Sequence, residues 1–190
     1  TLWRYVSKVD EEYICKNVFI GKTDVSGMTK EEAVKAVDNT LGDYRNKQLV
    51  LKVKDHGADV SIEEMGAEVE NIDKLAEKAV GYGKNGSIWS RYQKIHNLDK
   101  KKYVIDESFK VEEAKLRELI QERAVPLEQK AINASASYNG SGFDLTDEAE
   151  GYTVDVDKSV KKIKNFMNKK WNYEDAEVEL KLDMEKPTIK

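Results

Sequence analysis

The stretch SIWSRYQ gathers Trp89, Arg91 and Tyr92 within one short segment, with Tyr82 close upstream. Aromatic faces cover apolar surfaces such as those of sugar rings, and a guanidinium offers a planar fork to carboxylates. Tyr82, Trp89, Arg91 and Tyr92 are therefore the candidate ligand-binding set, suited to a glycan strand that carries peptide carboxylates. In the alternative reading Trp89 and Tyr92 only plug the joint between two lobes. The rest of the reactive inventory points away from catalysis. His56 stands in a turn beside Asp55 and Gly57, and His96 lies far along the chain, so the two are not at metal-ligand spacing. There is no GxSxG elbow and no SxxK, and Cys15, the single cysteine, is expected as a half-buried strand residue. Gly81, Gly83 and Gly86 have the spacing of a dinucleotide loop but end a helix, which would turn its negative end toward a phosphate. Asp24, Asp59, Asp144, Asp155 and Asp157 read as turn and cap residues, without a calcium-loop pattern. The expectation is a non-enzyme with no catalytic residue, metal or cofactor.

The elements that must position the aromatic set follow from periodicity. YICKNVFIGKTDVSG reads as a strand closed by Gly27, and Thr29 with Glu32 fits a capping box opening a helix whose apolar stripe is Ala33, Val34, Ala36, Val37 and Leu41, with Gly42 as terminator. Leu49, Leu51 and Val53 alternate with polar or peripheral positions, DHG supplies a turn, and ADVSIEE returns, which predicts a hairpin. Ser61 and Glu64 repeat the capping spacing ahead of Gly66, and Ile72, Leu75, Ala76, Ala79 and Val80 line a second helix from about Asn71.

The same layout returns later. Glu112, Glu113 and Ala114 answer Glu31, Glu32 and Ala33, and AINASASY answers QLVLKVK. GFDLTDEAEGYTV then answers GADVSIEEMGAEV, pairing Gly142 with Gly57 and Gly151 with Gly66. The paired glycines suggest shared positions of positive φ. Val156, Val160, Ile163 and Phe166 line a further helix, and AEVELKLDM alternates as a closing strand. The predicted architecture is α+β: two related lobes, each a small antiparallel sheet packed with two helices. The expected division is an N-terminal extension over 1–16, a first lobe over 17–82, a connector over 83–101 and a second lobe over 102–190.

With 39% hydrophobic and 36% charged residues over 190 positions, the balance suits two thin units better than one thick core. A net charge of -4 with interspersed cations excludes a nucleic-acid footprint, and the run Lys158, Lys161, Lys162, Lys164, Lys169 and Lys170 reads as the wet face of a helix. No apolar run reaches the roughly 20 residues needed to span a bilayer.

Taken together, NVFIGKTDVSGMTKEEAVKAV, VSIEEMGAEVE and LAEKAVGYGKNGSIWSRY resemble the putative peptidoglycan-binding domain family. The marks of the resemblance are the opening from Ile20 to Ala33, the step from Glu63 to Val69, and a glycine-basic-glycine stretch before an arginine, here Gly83, Lys84, Gly86 and Arg91. It runs from about Asn17 to the end of the chain. The resemblance implies an extracellular module of Gram-positive bacteria, on the wall side of a membrane to which an N-terminal anchor ties it, placed N-terminal to an L,D-transpeptidase or VanW-type domain that KPTI would introduce. It further implies peptidoglycan as partner without identifying ligand atoms; a cleft between the lobes edged by Trp89, Arg91 and Tyr92 is the expected place for an elongated polymer. The competing expectation is a structural spacer or protein-interaction module that binds no glycan.

Overall fold

The computed structural model describes residues 2–188; Thr1, Ile189 and Lys190 lie outside the described residues. The order of elements is α1 (Leu2–Val6), β1 (Val18–Ile20), β2 (Thr23–Asp24), α2 (Lys30–Asp43), β3 (Gln48–Val53), β4 (His56–Ser61), β5 (Glu68–Val69) and α3 (Ile72–Gly81). There follow α4 (Ile88–Asn97), β6 (Tyr103–Ile105), β7 (Phe109–Lys110) and α5 (Glu113–Leu119), which runs on into a π turn at Ile120–Ala124. The chain finishes with β8 (Ser135–Tyr138), β9 (Phe143–Thr146), β10 (Gly151–Val154), α6 (Val156–Lys169), β11 (Ala176–Glu179) and β12 (Leu182–Glu185). The fold is α+β.

The described chain forms two compact units, and neither is one continuous segment. Unit 1 takes the chain through Arg45 together with Glu68–Lys110; unit 2 takes Asn46–Ala67 and the chain from Val111 onward. This differs from the division at 82 and 102 read from the sequence, because the hairpin β3–β4, although it follows α2 in the chain, pairs and packs with elements that come much later.

In unit 1, β1 lies between β2, antiparallel, and β6, parallel. β5 pairs antiparallel with β7. The segment expected as one strand is thus two short ones turned at Gly21, whose φ is +53°, and Cys15 precedes them in a loop. The predicted capping box opens α2: the Thr29 hydroxyl accepts from the Glu32 amide, and the Glu32 carboxylate accepts from the Thr29 amide. Ala33, Val37 and Leu41 are fully buried, so the four-residue spacing puts the helix's short and branched side chains on one inward stripe. The helix continues past Gly42 to a cap at Tyr44 whose φ is -111°; no left-handed residue is needed, since the Tyr44 amide reaches the Leu41 and Gly42 carbonyls directly.

In unit 2, β3 lies between β4, antiparallel, and β11, parallel. β10 pairs antiparallel with β12. The two parallel ladders were not expected from the sequence. They arise because the third strand of each sheet arrives after a helical crossover instead of a tight turn. Leu49, Leu51, Val53 and Val60 are fully buried against the π turn after α5, which contributes Ile120 and Ala124. The expected closing strand is broken at Leu180 and Lys181 into β11 and β12, one for each sheet. Ser159, fully buried on α6, fastens the break: its hydroxyl accepts from the Lys181 amide at 3.0 Å. The lysine run on α6 is largely exposed, with Lys158 paired to Asp155 at 2.7 Å and Lys164 to Glu113 at 2.9 Å.

The matched glycines do different work in the two places. Gly66 has φ +62°, as expected. Gly151, its counterpart, is not left-handed. It is glycine because a Cβ would stand 2.3 Å from the Ala131 amide nitrogen and 2.8 Å from the Gln129 carbonyl oxygen. Gly57 and Gly142 also lack positive φ; a Cβ at Gly57 would meet Val50 Cγ1 at 2.7 Å, whereas at Gly142 it would meet nothing.

Candidate functional site

The segment expected as an irregular connector holds a helix. Gly86 turns the chain with φ +103°, Ser87 then caps α4 by accepting from the Ser90 amide, and Ile95 and the following Leu98 are buried beneath it. Trp89, Tyr92 and His96 recur at helical spacing and so share one face. Trp89 stacks on Tyr92 with ring centroids 5.9 Å apart, and Tyr92 stacks on His96 at 5.5 Å and 7°. Tyr5, from α1, meets Tyr92 edge-on at 5.4 Å. The outer end of this strip is open, since Trp89 is 58% exposed.

Ionic groups fix the other end of the strip. Asp99 accepts from the Tyr5 hydroxyl at 3.2 Å, pairs with Lys16 at 2.5 Å and faces His96 Nδ1 at 3.6 Å. The hydrogen bond from Lys16 holds the Asp99 carboxyl below its ordinary range, and burial with the hydrogen bond to Asp99 raises the Tyr5 phenol. His96 thus has two partners, an aromatic neighbour and a carboxylate.

Of the four residues singled out in the sequence, the structure brings Trp89 and Tyr92 together. Tyr82 stacks instead on Tyr103, 3.8 Å away and 14° from parallel, with Lys94 of α4 over its ring at 6.0 Å. Arg91 projects off the strip toward Glu11, 3.8 Å from its carboxylate, and its Nε is buried with no acceptor among the described residues. Tyr5, His96 and Asp99 were missed. The signal for His96 was present, four positions after Tyr92, but it shows only once 88–97 is read as a helix. Tyr5 is too distant in sequence for any local pattern to place it.

The glycine-basic-glycine stretch has a structural explanation. Lys84 is 6% exposed, and its ammonium donates to the carbonyls of Glu11, at 3.0 Å, and Tyr13, at 2.6 Å. Gly83, with φ +79°, lets the turn approach Ile95, whose Cγ1 would lie 3.0 Å from a Cβ. The buried lysine therefore ties the loop before β1 to the turn that opens α4. Cys15 is half-buried beside it, its thiol 3.5 Å from the Tyr82 carbonyl; burial raises its pKa, and the nearby Lys84 charge opposes that shift.

Among the described residues no group of three His, Cys, Asp or Glu side chains is placed to hold a metal ion, and no helix is long and apolar enough to cross a membrane. A family model described as "Putative peptidoglycan binding domain" matches residues 58–176, a span that contains α4 and its aromatic strip. No curated protein and no solved structure matches the chain.

Proposed function

We infer wall association from membership: this chain belongs to the putative peptidoglycan binding domain family, whose model covers more than half of it. The proposed role is a non-catalytic extracellular module of a Gram-positive, membrane-anchored protein, which positions an attached L,D-transpeptidase or VanW-type domain on peptidoglycan. The family match is the observation that carries the peptidoglycan-binding part of this reading. The strip on α4 is the proposed contact surface. Trp89 and Tyr92 present stacked rings to a sugar's apolar face, while Tyr82 and Arg91 flank them as part of the proposed ligand-binding set. Glu11 beside Arg91 competes for any carboxylate, so the aromatic contacts supply most of the binding and the affinity is low.

Sedimentation with purified cell-wall sacculi at low salt tests the proposal. The chain is expected in the pellet. A Trp89→Ala, Tyr92→Ala variant of unchanged circular dichroism should remain in the supernatant. Full retention of that variant removes the strip from the proposal, and absence of the parent chain from the pellet overturns wall binding altogether. The second reading, a spacer or protein-interaction module, is favoured by one observation, the bare apolar face of β8–β9.

A further inference from the structure

The hairpin β8–β9 is well formed and uncovered. Ala136 pairs with Leu145 and Tyr138 with Phe143, so one face of the ladder is apolar, while Ser135, Ser137, Asp144 and Thr146 make the other face polar. On the apolar face Tyr138 is 67%, Phe143 70% and Leu145 76% exposed. A lone two-stranded hairpin is marginal in water, yet this one is braced from within. The Asn139 side-chain oxygen accepts from the Ser141 and Gly142 amides, its amide group donates to Asp144, and the Tyr138 hydroxyl donates to the Gly140 carbonyl. It is a preformed sheet face with nothing on it.

The rest of the chain contains a covered counterpart of this face. The two units share a plan: a hairpin whose first strand takes a parallel third strand (β1 with β6, β3 with β11), together with an antiparallel pair (β5 with β7, β10 with β12) and two helices (α2 and α3, α5 and α6), to which unit 1 adds α1 and α4. In unit 1 the chain between α2 and β5 makes an excursion, the hairpin β3–β4, and that excursion is the founding hairpin of unit 2. In unit 2 the chain between α5 and β10 makes the corresponding excursion, which is β8–β9. The correspondence extends to side chains: Gly57 and Asp59 match Gly142 and Asp144, so the inward residues Ala58 and Val60 of the covered hairpin fall on Phe143 and Leu145 of the bare one.

We propose that β8–β9 is a docking hairpin for a partner α/β module of the same build, which sets a strand parallel along the free edge of β8 and an aliphatic helix face over Tyr138, Phe143 and Leu145. The covered hairpin already shows both contacts: β11 along β3, and Ile120 and Ala124 of the π turn over the inward face. A second copy of the chain stacked hairpin to hairpin fits less well. The three large side chains offer about 400 Å² of apolar surface, too little for stacking alone to reach the roughly 800 Å² per partner of a stable interface. Strand addition supplies main-chain hydrogen bonds that face-to-face stacking lacks. The proposal is independent of wall binding.

The probe is the intact chain extended at its C terminus by a second copy of its own residues 111–190, which carries the covering helices and strands without β3–β4. Hydrogen exchange at the amides of β8 and β9 in the original copy is expected to slow at least about tenfold on extension. Phe143→Ser with Leu145→Ser in that hairpin should abolish the gain. Equal exchange in the extended and unextended chains overturns the proposal, whether the appended copy stays unfolded or folds elsewhere. Protection that appears in the unextended chain and rises with its concentration, alongside a dimer in sedimentation, assigns the face to a second copy and overturns it as well.

Discussion

Replacing Lys84 with methionine removes the ammonium while keeping an unbranched apolar stem of similar reach. Two hydrogen bonds from a charged donor disappear, at 3.0 Å to the Glu11 carbonyl and 2.6 Å to the Tyr13 carbonyl. Bonds to charged groups contribute about 1.5–3 kcal/mol each. Glu11 and Tyr13 lie on an exposed loop, so water can take over part of the acceptance, and about 2 kcal/mol for the pair is the reasoned cost. The loss should be local. The amides of Ile14 and Gly27, bonded across this loop to the Met28 and Ile14 carbonyls at 2.8 and 2.9 Å, are the reporters. At 1.36 kcal/mol per decade, their exchange should quicken about thirtyfold. Native-state hydrogen exchange of parent and Lys84→Met measures this. A change below about threefold at both amides would refute the assignment of Lys84 as the tie, as would equal acceleration throughout unit 2.

Three further outcomes are expected. The hydrogen bonds from Arg123, with that of the Ser61 amide, hold the Glu64 carboxyl at about 2, below its ordinary 4.5. The stabilisation is therefore complete above about pH 4.5 and fades as pH falls toward 2. Both side chains are more than a third exposed, so Glu64→Gln should cost only about 1 kcal/mol at pH 7, with the gap to the parent closing at pH 2 in denaturant titrations. Gly151→Ala forces a Cβ against backbone and should cost about 2–3 kcal/mol, whereas Gly66→Ala pays mainly left-handed strain of about 1–2 kcal/mol; equal shifts in calorimetry would contradict the distinction. The Cys15 thiol, raised by burial, should react with iodoacetamide at pH 8 more slowly than a free thiol, and in denaturant at the ordinary rate.

Local signals were readable where one element carries its own evidence. Thr29 and Glu32 marked the start of α2, the alternation of Leu49, Leu51 and Val53 marked β3, and the α+β class followed from both. Ser61 and Glu64 formed the expected reciprocal pair at the head of a turn that runs to Gly66. What escaped was non-local. The sequence of β3 contains nothing to say that its second neighbour will be β11, because parallel pairing is decided by crossover and core packing over more than a hundred residues. At the aromatic strip, Trp89 and Tyr92 were found by proximity, while Tyr5 came from the far end of the unit and His96 from a helix that the glycines and cations of 83–101 concealed.

The interleaved path of the chain has a consequence during synthesis. β3–β4 leaves the ribosome roughly fifty residues before α5 and more than a hundred before β11. At about 5–20 residues per second, its Leu49, Leu51 and Val60 side chains wait some seconds for their first cover and longer for the last strand. Throughout that interval the nascent hairpin presents a bare edge and a greasy face, which makes it the point where a holdase would bind and where a stalled chain would begin to aggregate.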